Sequence, residues 1–145
     1  MAGKADPLRF DNQVCFPLYS AANAVVRAYR PLLDELGLTY LQYMVLMLLW
    51  EEREMNVKAL GERLGLDSGT LTPLLKRLDG KGLVTRRRDP ADERVRLIRI
   101  TDQGLALRER AKSIPGDLAC RIGMKKSEAR QMRELCERVL VALNN

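Results

Sequence analysis

The chain has 145 residues, with 25 Lys and Arg against 19 Asp and Glu, a formal net charge of +6 and a sequence pI of about 9.5. That length suits one domain able to bury a core, and that charge favours a polyanionic partner. The absence of histidine excludes His-based catalysis and most zinc sites, and Cys15, Cys120 and Cys136 lie far apart with no close ligand pair, so neither metal nor cofactor is expected.

The N-terminal stretch MAGKADPLRFDNQ lacks the apolar segment of a signal peptide. The longest apolar run, Met44 to Trp50, is much too short to span a bilayer. A cytoplasmic location, thiols reduced at rest and no membrane partner are therefore expected. A first helix is predicted over about 16–36, with Pro17 in its first turn and Gly37 after its end. Leu18, Ala21, Ala22, Val25, Tyr29, Leu32 and Leu33 form its apolar stripe, and Pro31 should kink or interrupt it. A second helix starts near Thr39, where Thr39 and Gln42 make a possible capping box. From Leu41 to Trp50 it is apolar nearly all round, which predicts a central, buried position.

Residues 56–101 carry the most information. Val57, Leu60 and Leu64 mark one face of a short helix that Gly65 can stop. Asp67 and Ser68 are N-cap candidates for the next helix. That helix puts Leu71, Leu74, Leu75 and Leu78 on one side and Ser68, Thr70, Thr72, Lys76 and Arg77 on the other, with Gly80 and Gly82 to end it. An apolar back and a short, polar and basic front fit the major groove of duplex DNA. The runs LVTRRR and RVRLIRI follow, joined by a turn at DPADE. Between Lys81 and Arg99 there are seven basic and three acidic side chains. Arg86, Arg94 and Arg96 are candidate DNA contacts, with Arg94 at a hairpin tip that can enter the minor groove. Asp92, two residues earlier, can hold that guanidinium by a charge-assisted pair.

Thr101 is a plausible N-cap for a helix to about Ser113, and Pro115 and Gly116 break the pattern. A short helix around Asp117–Ile122 should end at Gly123, and Ser127 should cap a last helix whose apolar side holds Met132, Leu135, Cys136, Val139, Leu140 and Leu143. The expected fold is mainly α with a small β-hairpin wing: a winged helix-turn-helix in a dimeric architecture. One domain spans 1–145, with dimerisation helices over about 12–36 and 102–145 and a DNA-binding unit over about 39–101. A two-fold homodimer would match two recognition helices to half-sites about one helical turn apart.

This order of helices, with DERVRLIRIT in the wing, resembles the MarR family of bacterial repressors along essentially the whole chain. The segment FDNQVCFPLYSAANAVVRAYRPLLDELGLTYLQYMVLMLLWE is similar to the organic hydroperoxide resistance repressors (OhrR) within it, whose mark is a reactive cysteine at the start of the first helix with tyrosines downstream. The resemblance implies a repressor of double-stranded operator DNA that an organic hydroperoxide releases by oxidising Cys15. Pro17 independently puts Cys15 near a helix N-terminus, where unpaired amides favour negative charge, and the thiolate is the form peroxides oxidise. Tyr29 lies 14 residues later, roughly 20 Å along the same helix at 1.5 Å per residue, so one straight helix cannot join it to Cys15, whereas an antiparallel partner helix across a dimer axis could. Tyr40 can join that cluster, and Tyr19 is one turn from Cys15. The tyrosines taken singly suit dimer-core packing about as well as hydrogen bonding. The resemblance to the two-cysteine branch implies that Cys120 resolves the oxidised Cys15 as an intersubunit disulfide; the one-cysteine branch, in which a small thiol caps the sulfenic acid, is the alternative. Cys136 falls in an apolar stripe, where packing is its default.

Three other functions fit some of these residues. A related repressor can bind a phenolic or other small ligand between its helices, with Cys15 as inert packing. A thiol peroxidase would use the cysteines but leave the DNA-reading helices without purpose, so no enzymatic activity is expected. A non-specific architectural DNA protein would bind all duplexes equally.

Overall fold

In the computed structural model, which describes residues 6–144, a 3-10 turn at Phe10–Asn12 precedes α1 (Cys15–Asp34) and α2 (Tyr40–Glu52). Then come β1 (Glu54–Asn56), α3 (Val57–Leu64), α4 (Ser68–Gly80), β2 (Val84–Arg88), β3 (Arg96–Ile100), α5 (Asp102–Ala111), α6 (Ile114–Ile122) and α7 (Lys126–Leu143). The first five residues, part of the stretch read above as lacking a signal peptide, lie outside the described residues, as does Asn145. The described helices include none long and apolar enough to cross a membrane. The chain divides into two compact units, one ending at Ala111 and the other beginning at Lys112.

In the first unit, α2 supplies the centre. Val45, Leu46 and Leu49 have no exposed surface, and Tyr43 is 2% exposed. The expected capping box forms at its start: the Gln42 N–H donates to Thr39 Oγ1 at 3.3 Å, and the Thr39 N–H donates to Gln42 Oε1 at 3.1 Å. Around α2 the core is completed by Leu60 of α3, Leu71, Leu75 and Leu78 of α4, and Val84 and Ile98 of the sheet, all at most 2% exposed. Each of those side chains stabilises the fold by about 1.5–3 kcal/mol relative to exposure. Gln42 is the only buried amide side chain among the described residues, none of the charged ones being buried, and the Lys81 ammonium satisfies it by donating to Oε1 at 2.9 Å. The same ammonium donates to the Gly37 carbonyl, tying the end of α4 to the turn before α2.

The sheet is antiparallel with order β1-β3-β2. The hairpin of β2 and β3 was expected; β1 was not. Its three residues EMN are too few to show alternation, and they become a strand because the second edge of β3 offers its backbone groups. The chain turns from α2 into β1 through Arg53 at φ 68°, and the Arg53 carbonyl accepts the Ile100 N–H at 3.0 Å.

Three boundary expectations need correction. The helix α1 runs through Pro31 to Asp34 without interruption, because the lost amide falls within its last turn. The helix α6 starts at Ile114 rather than near Asp117, with Pro115 in its first turn, where a missing N–H costs nothing. Ser127 is inside α7 and does not cap it; Lys125 precedes the helix, and its N–H donates to Glu128 Oε2 at 2.9 Å.

Candidate DNA interface and thiol site

Two caps fix the helix-turn-helix. Asn56 Oδ1 accepts the Ala59 N–H at 2.7 Å to open α3, a cap the sequence pattern did not single out. Gly65 at φ 64° ends α3 in the left-handed region that suits glycine. Asp67 Oδ1 then accepts the Thr70 N–H at 2.8 Å to open α4, and Ser68 is the first residue inside it. The aspartate sets where α4 begins, so its carboxylate is committed to the helix. With the leucines of α4 turned into the core, Ser68, Thr70, Thr72, Lys76 and Arg77 are exposed together.

The wing tip is closed by the Asp89 N–H donating to the Val95 carbonyl at 2.8 Å. Asp92 holds Arg94 as a fork: Arg94 Nε and NH2 donate to its two oxygens at 3.1 and 3.3 Å, and the Arg94 N–H donates to Oδ1 at 3.1 Å. These bonds from Arg94 hold the Asp92 carboxyl below the usual carboxylate range. The Arg94 side chain is 91% exposed, so it projects from the tip while its orientation is restrained.

The other wing arginines separate by partner. Arg86 Nε donates to Asp79 Oδ2 at 3.0 Å and braces β2 against α4. Arg87 reaches Glu54 on the opposite edge strand at 3.0 Å. Arg88 and Arg96 stand directly opposite each other in the β2–β3 register, both exposed, and neither has a carboxylate partner among the described residues. The sequence singles out Arg86 and Arg96 but not Arg88, because only the strand register distinguishes them.

The other candidate residues lie on α1 and α2. Cys15 is the exposed first residue of α1, and Val14 before it provides no side-chain cap for the first-turn amides. Phe16, the next residue, packs against Phe10 with tilted rings whose centroids are 4.7 Å apart. Tyr19 is 65% exposed. Tyr29 and Tyr40 do meet within one chain, at 5.0 Å between centroids, and Tyr43 joins them 5.8 Å from Tyr29. Burial foremost, with Tyr40 and Tyr43 adding to it, pushes the Tyr29 phenol up to about 12. Burial also raises Tyr40 and Tyr43, so all three remain neutral donors at physiological pH. Tyr43 contacts Trp50 at 6.2 Å, and Trp50 Nε1 donates to the Gly104 carbonyl at 2.9 Å. The sequence hid Tyr43 in a helix apolar on every side. Along α1, Cys15 and Tyr29 remain about 21 Å apart within one chain.

In the second unit Cys120 is exposed on α6 and Cys136 is half-buried on α7. No residue of α7 is buried: Met132, Leu135, Val139, Leu140, Val141 and Leu143 are all at least 42% exposed. In the first unit Val14, Phe16, Leu18, Tyr19 and Val26 of the α1 segment are likewise exposed. Between α1, α2 and α4 lies a groove of about 590 Å³, lined by Leu33, Leu38, Tyr40, Arg30 and Arg77 among others.

Residues 38–95 match the MarR family. The organic hydroperoxide resistance transcriptional regulator of Bacillus subtilis (strain 168) is 45% identical over 135 residues, 93% of this chain and 90% of the relative. AbfR of Staphylococcus epidermidis, in its reduced form bound to DNA, matches with a TM-score of 0.80 at 34% identity, over 94% of this chain and 96% of that one. Its disulfide-formed structure matches with a TM-score of 0.67 at 32% identity, over 91% and 93%.

Proposed function

Since this chain belongs to the MarR family and is a DNA-binding transcriptional regulator rather than an enzyme, we propose that it is a homodimeric repressor released from its operator when an organic hydroperoxide oxidises Cys15. The observation that carries this reading is the similarity along 93% of the chain to a regulator named for organic hydroperoxide resistance. The exposed cysteine at the start of α1 supplies chemistry to match. Residues 39–101 form the DNA-binding part of a single functional domain, and the apolar faces at 12–36 and 102–145 dimerise it. In that dimer Ser68, Thr70, Thr72, Lys76 and Arg77 address the major groove and Arg94 the minor groove, with Asp67 and Asp92 as positioning residues.

The sulfur of Cys15 attacks the O–O bond of the hydroperoxide. One oxygen goes to sulfur as a sulfenic acid, and the other leaves as the alcohol; the sulfur is oxidised by two electrons and the peroxide reduced by two. The neutral phenols of Tyr29 and Tyr40 are suited to donate hydrogen bonds to the oxygen on sulfur from the opposing subunit, with Tyr19 a third donor one turn from the thiol. The Cys120 thiol of that subunit then attacks the sulfenic sulfur, forming a disulfide and releasing water. An exposed cysteine on a short helix opening with Pro115 suits this resolving role. Closing the bond requires Cα atoms within about 7 Å, a constraint able to shift the DNA-reading units as rigid bodies.

The test uses a duplex selected by the protein from a random pool. Cumene hydroperoxide should release the parent, whereas Cys15→Ser should bind DNA and stay bound under oxidant. Equal release of both proteins would remove Cys15 as the sensor. Peptide mapping of the oxidised protein should find Cys15 joined to Cys120 across subunits; a bond to Cys136, or three intact thiols, would end the resolving assignment. A second route, release by a phenolic ligand, is favoured by the groove where Arg30, Arg77 and Tyr40 converge. Release by salicylate with no response to hydroperoxide would select it.

A further inference from the structure

We propose that Arg88 and Arg96 together form a seat for one backbone phosphate of duplex DNA, on the face of the wing turned toward the recognition helix α4. The proposal rests on the DNA-binding reading above and identifies a contact within it. It starts from a local cost. Residues directly opposite in an antiparallel pair have Cβ atoms about 4.5–5.5 Å apart, and like charges there are destabilising. The β2–β3 register sets two arginines opposite each other at its outer end. The neighbouring arginines do not share this situation: Arg86 has Asp79, Arg87 has Glu54 and Arg94 has Asp92. Only the Arg88–Arg96 step of the hairpin concentrates two guanidiniums with no carboxylate among the described residues.

The face they occupy identifies the anion. Side chains alternate along a strand, so Val84, Arg86 and Arg88 share one side of β2, opposite Ile100, Ile98 and Arg96 of β3. Val84, Ile98 and Ile100 are buried, and Arg86 is bonded to Asp79 of α4. Arg88 and Arg96 therefore continue the α4-facing side of the wing outward, past the point where the core ends. A recognition helix in the major groove and a wing tip in the adjacent minor groove must straddle the sugar–phosphate strand between those grooves. Two guanidiniums on the inner wall of that fork face the strand, and guanidinium binds phosphate oxygens in bidentate geometry. Seating one phosphate there relieves the repulsion and fixes how deeply Arg94 enters. Arg86, spent on Asp79, is a positioning residue that sets the angle between helix and wing.

The experiment measures affinity for the selected duplex and for a non-cognate duplex of equal length across a salt series. The parent and Arg88→Gln/Arg96→Gln are compared. One shared phosphate predicts that the slope of log K against log salt falls in magnitude by about 1. The same fold-loss is expected on both duplexes, because a phosphate carries no sequence information. Free of DNA, the double variant should melt no lower than the parent, since opposed charges have been removed. An unchanged slope, a fall of about 2, a loss confined to the selected duplex, or a lower melting temperature would each overturn the shared seat. Absence of salt-dependent binding by the parent would instead overturn the DNA-binding reading itself.

Discussion

Gly104→Ala tests whether the base of the wing is held by backbone pressed against backbone. Gly104 lies in the first turn of α5, where its N–H donates to Thr101 Oγ1 at 3.0 Å and its carbonyl accepts Trp50 Nε1 at 2.9 Å. A methyl group on its Cα would stand 2.3 Å from the Leu83 carbonyl oxygen and 2.7 Å from Ile100 Cγ1. The first distance is about an ångström short of ordinary contact. Leu83 cannot step aside cheaply, because that carbonyl also accepts the Thr101 N–H at 3.0 Å and leads straight into β2. Overpacking of this kind costs about 1–3 kcal/mol. Displacing α5 also stretches the Trp50 bond, for about 1 kcal/mol more. Alanine's better helix propensity offsets up to about 1 kcal/mol. The net is about 2 kcal/mol, or a melting temperature lower by roughly 6–8 °C for a chain of this size. Thermal unfolding followed by circular dichroism reads this directly. Gly116→Ala, where an added methyl inside α6 meets nothing within 4 Å, is the control and should melt at or a few degrees above the parent, since only the helix-propensity gain applies. A Gly104→Ala protein melting within about 1 °C of the parent would refute the close approach of α5 to the wing base.

Arg94→Ala should weaken DNA binding by about 1–3 kcal/mol if the guanidinium reaches a base edge. Asp92→Asn should weaken it less, since the arginine remains but loses its fork; equal losses in a titration of both variants would make Asp92 a contact in its own right. Gln42→Leu should destabilise the protein by about 1–3 kcal/mol, because the Thr39 N–H and the Lys81 ammonium each lose an acceptor; denaturant unfolding checks it. Tyr29 should ionise about two units above an ordinary tyrosine, at about 12. Its raised value means a stabilising contribution fully present below pH 10 and lost as pH rises toward about 12; phenolate absorbance in Tyr29→Phe against the parent isolates that step.

The helix-turn-helix was legible because its signals are local. Leucine spacing, the Asp67 cap and the Gly65 stop each act within a turn of chain, and α3 and α4 sit where those signals put them. The capping box at Thr39 was legible for the same reason. What escaped depends on partners distant in sequence. The strand β1 exists because β3 has a free edge 40 or more residues later, as in Glu54 opposite Arg99. The meeting of Tyr29 with Tyr40 needs the turn between α1 and α2, and Tyr43 looked like any other apolar position of its helix. Charge alone could not rank the wing arginines. A carboxylate from α4 removes Arg86 from the exposed set, while the register puts the overlooked Arg88 beside Arg96.

The bare apolar side of α7 has a consequence for abundance. An 18-residue helix that buries none of its residues within its own chain gains little from tertiary packing, and most helical stability in proteins comes from that source. In the homodimer proposed above, a subunit that covers this face only by pairing has a folded population that obeys mass action. Diluting the protein should then lower its melting temperature, and newly made chains should be most vulnerable to proteolysis before they meet a mate. Such a regulator sets its own effective threshold: below a certain copy number, further synthesis is lost to degradation, and above it nearly every added chain survives as a competent pair.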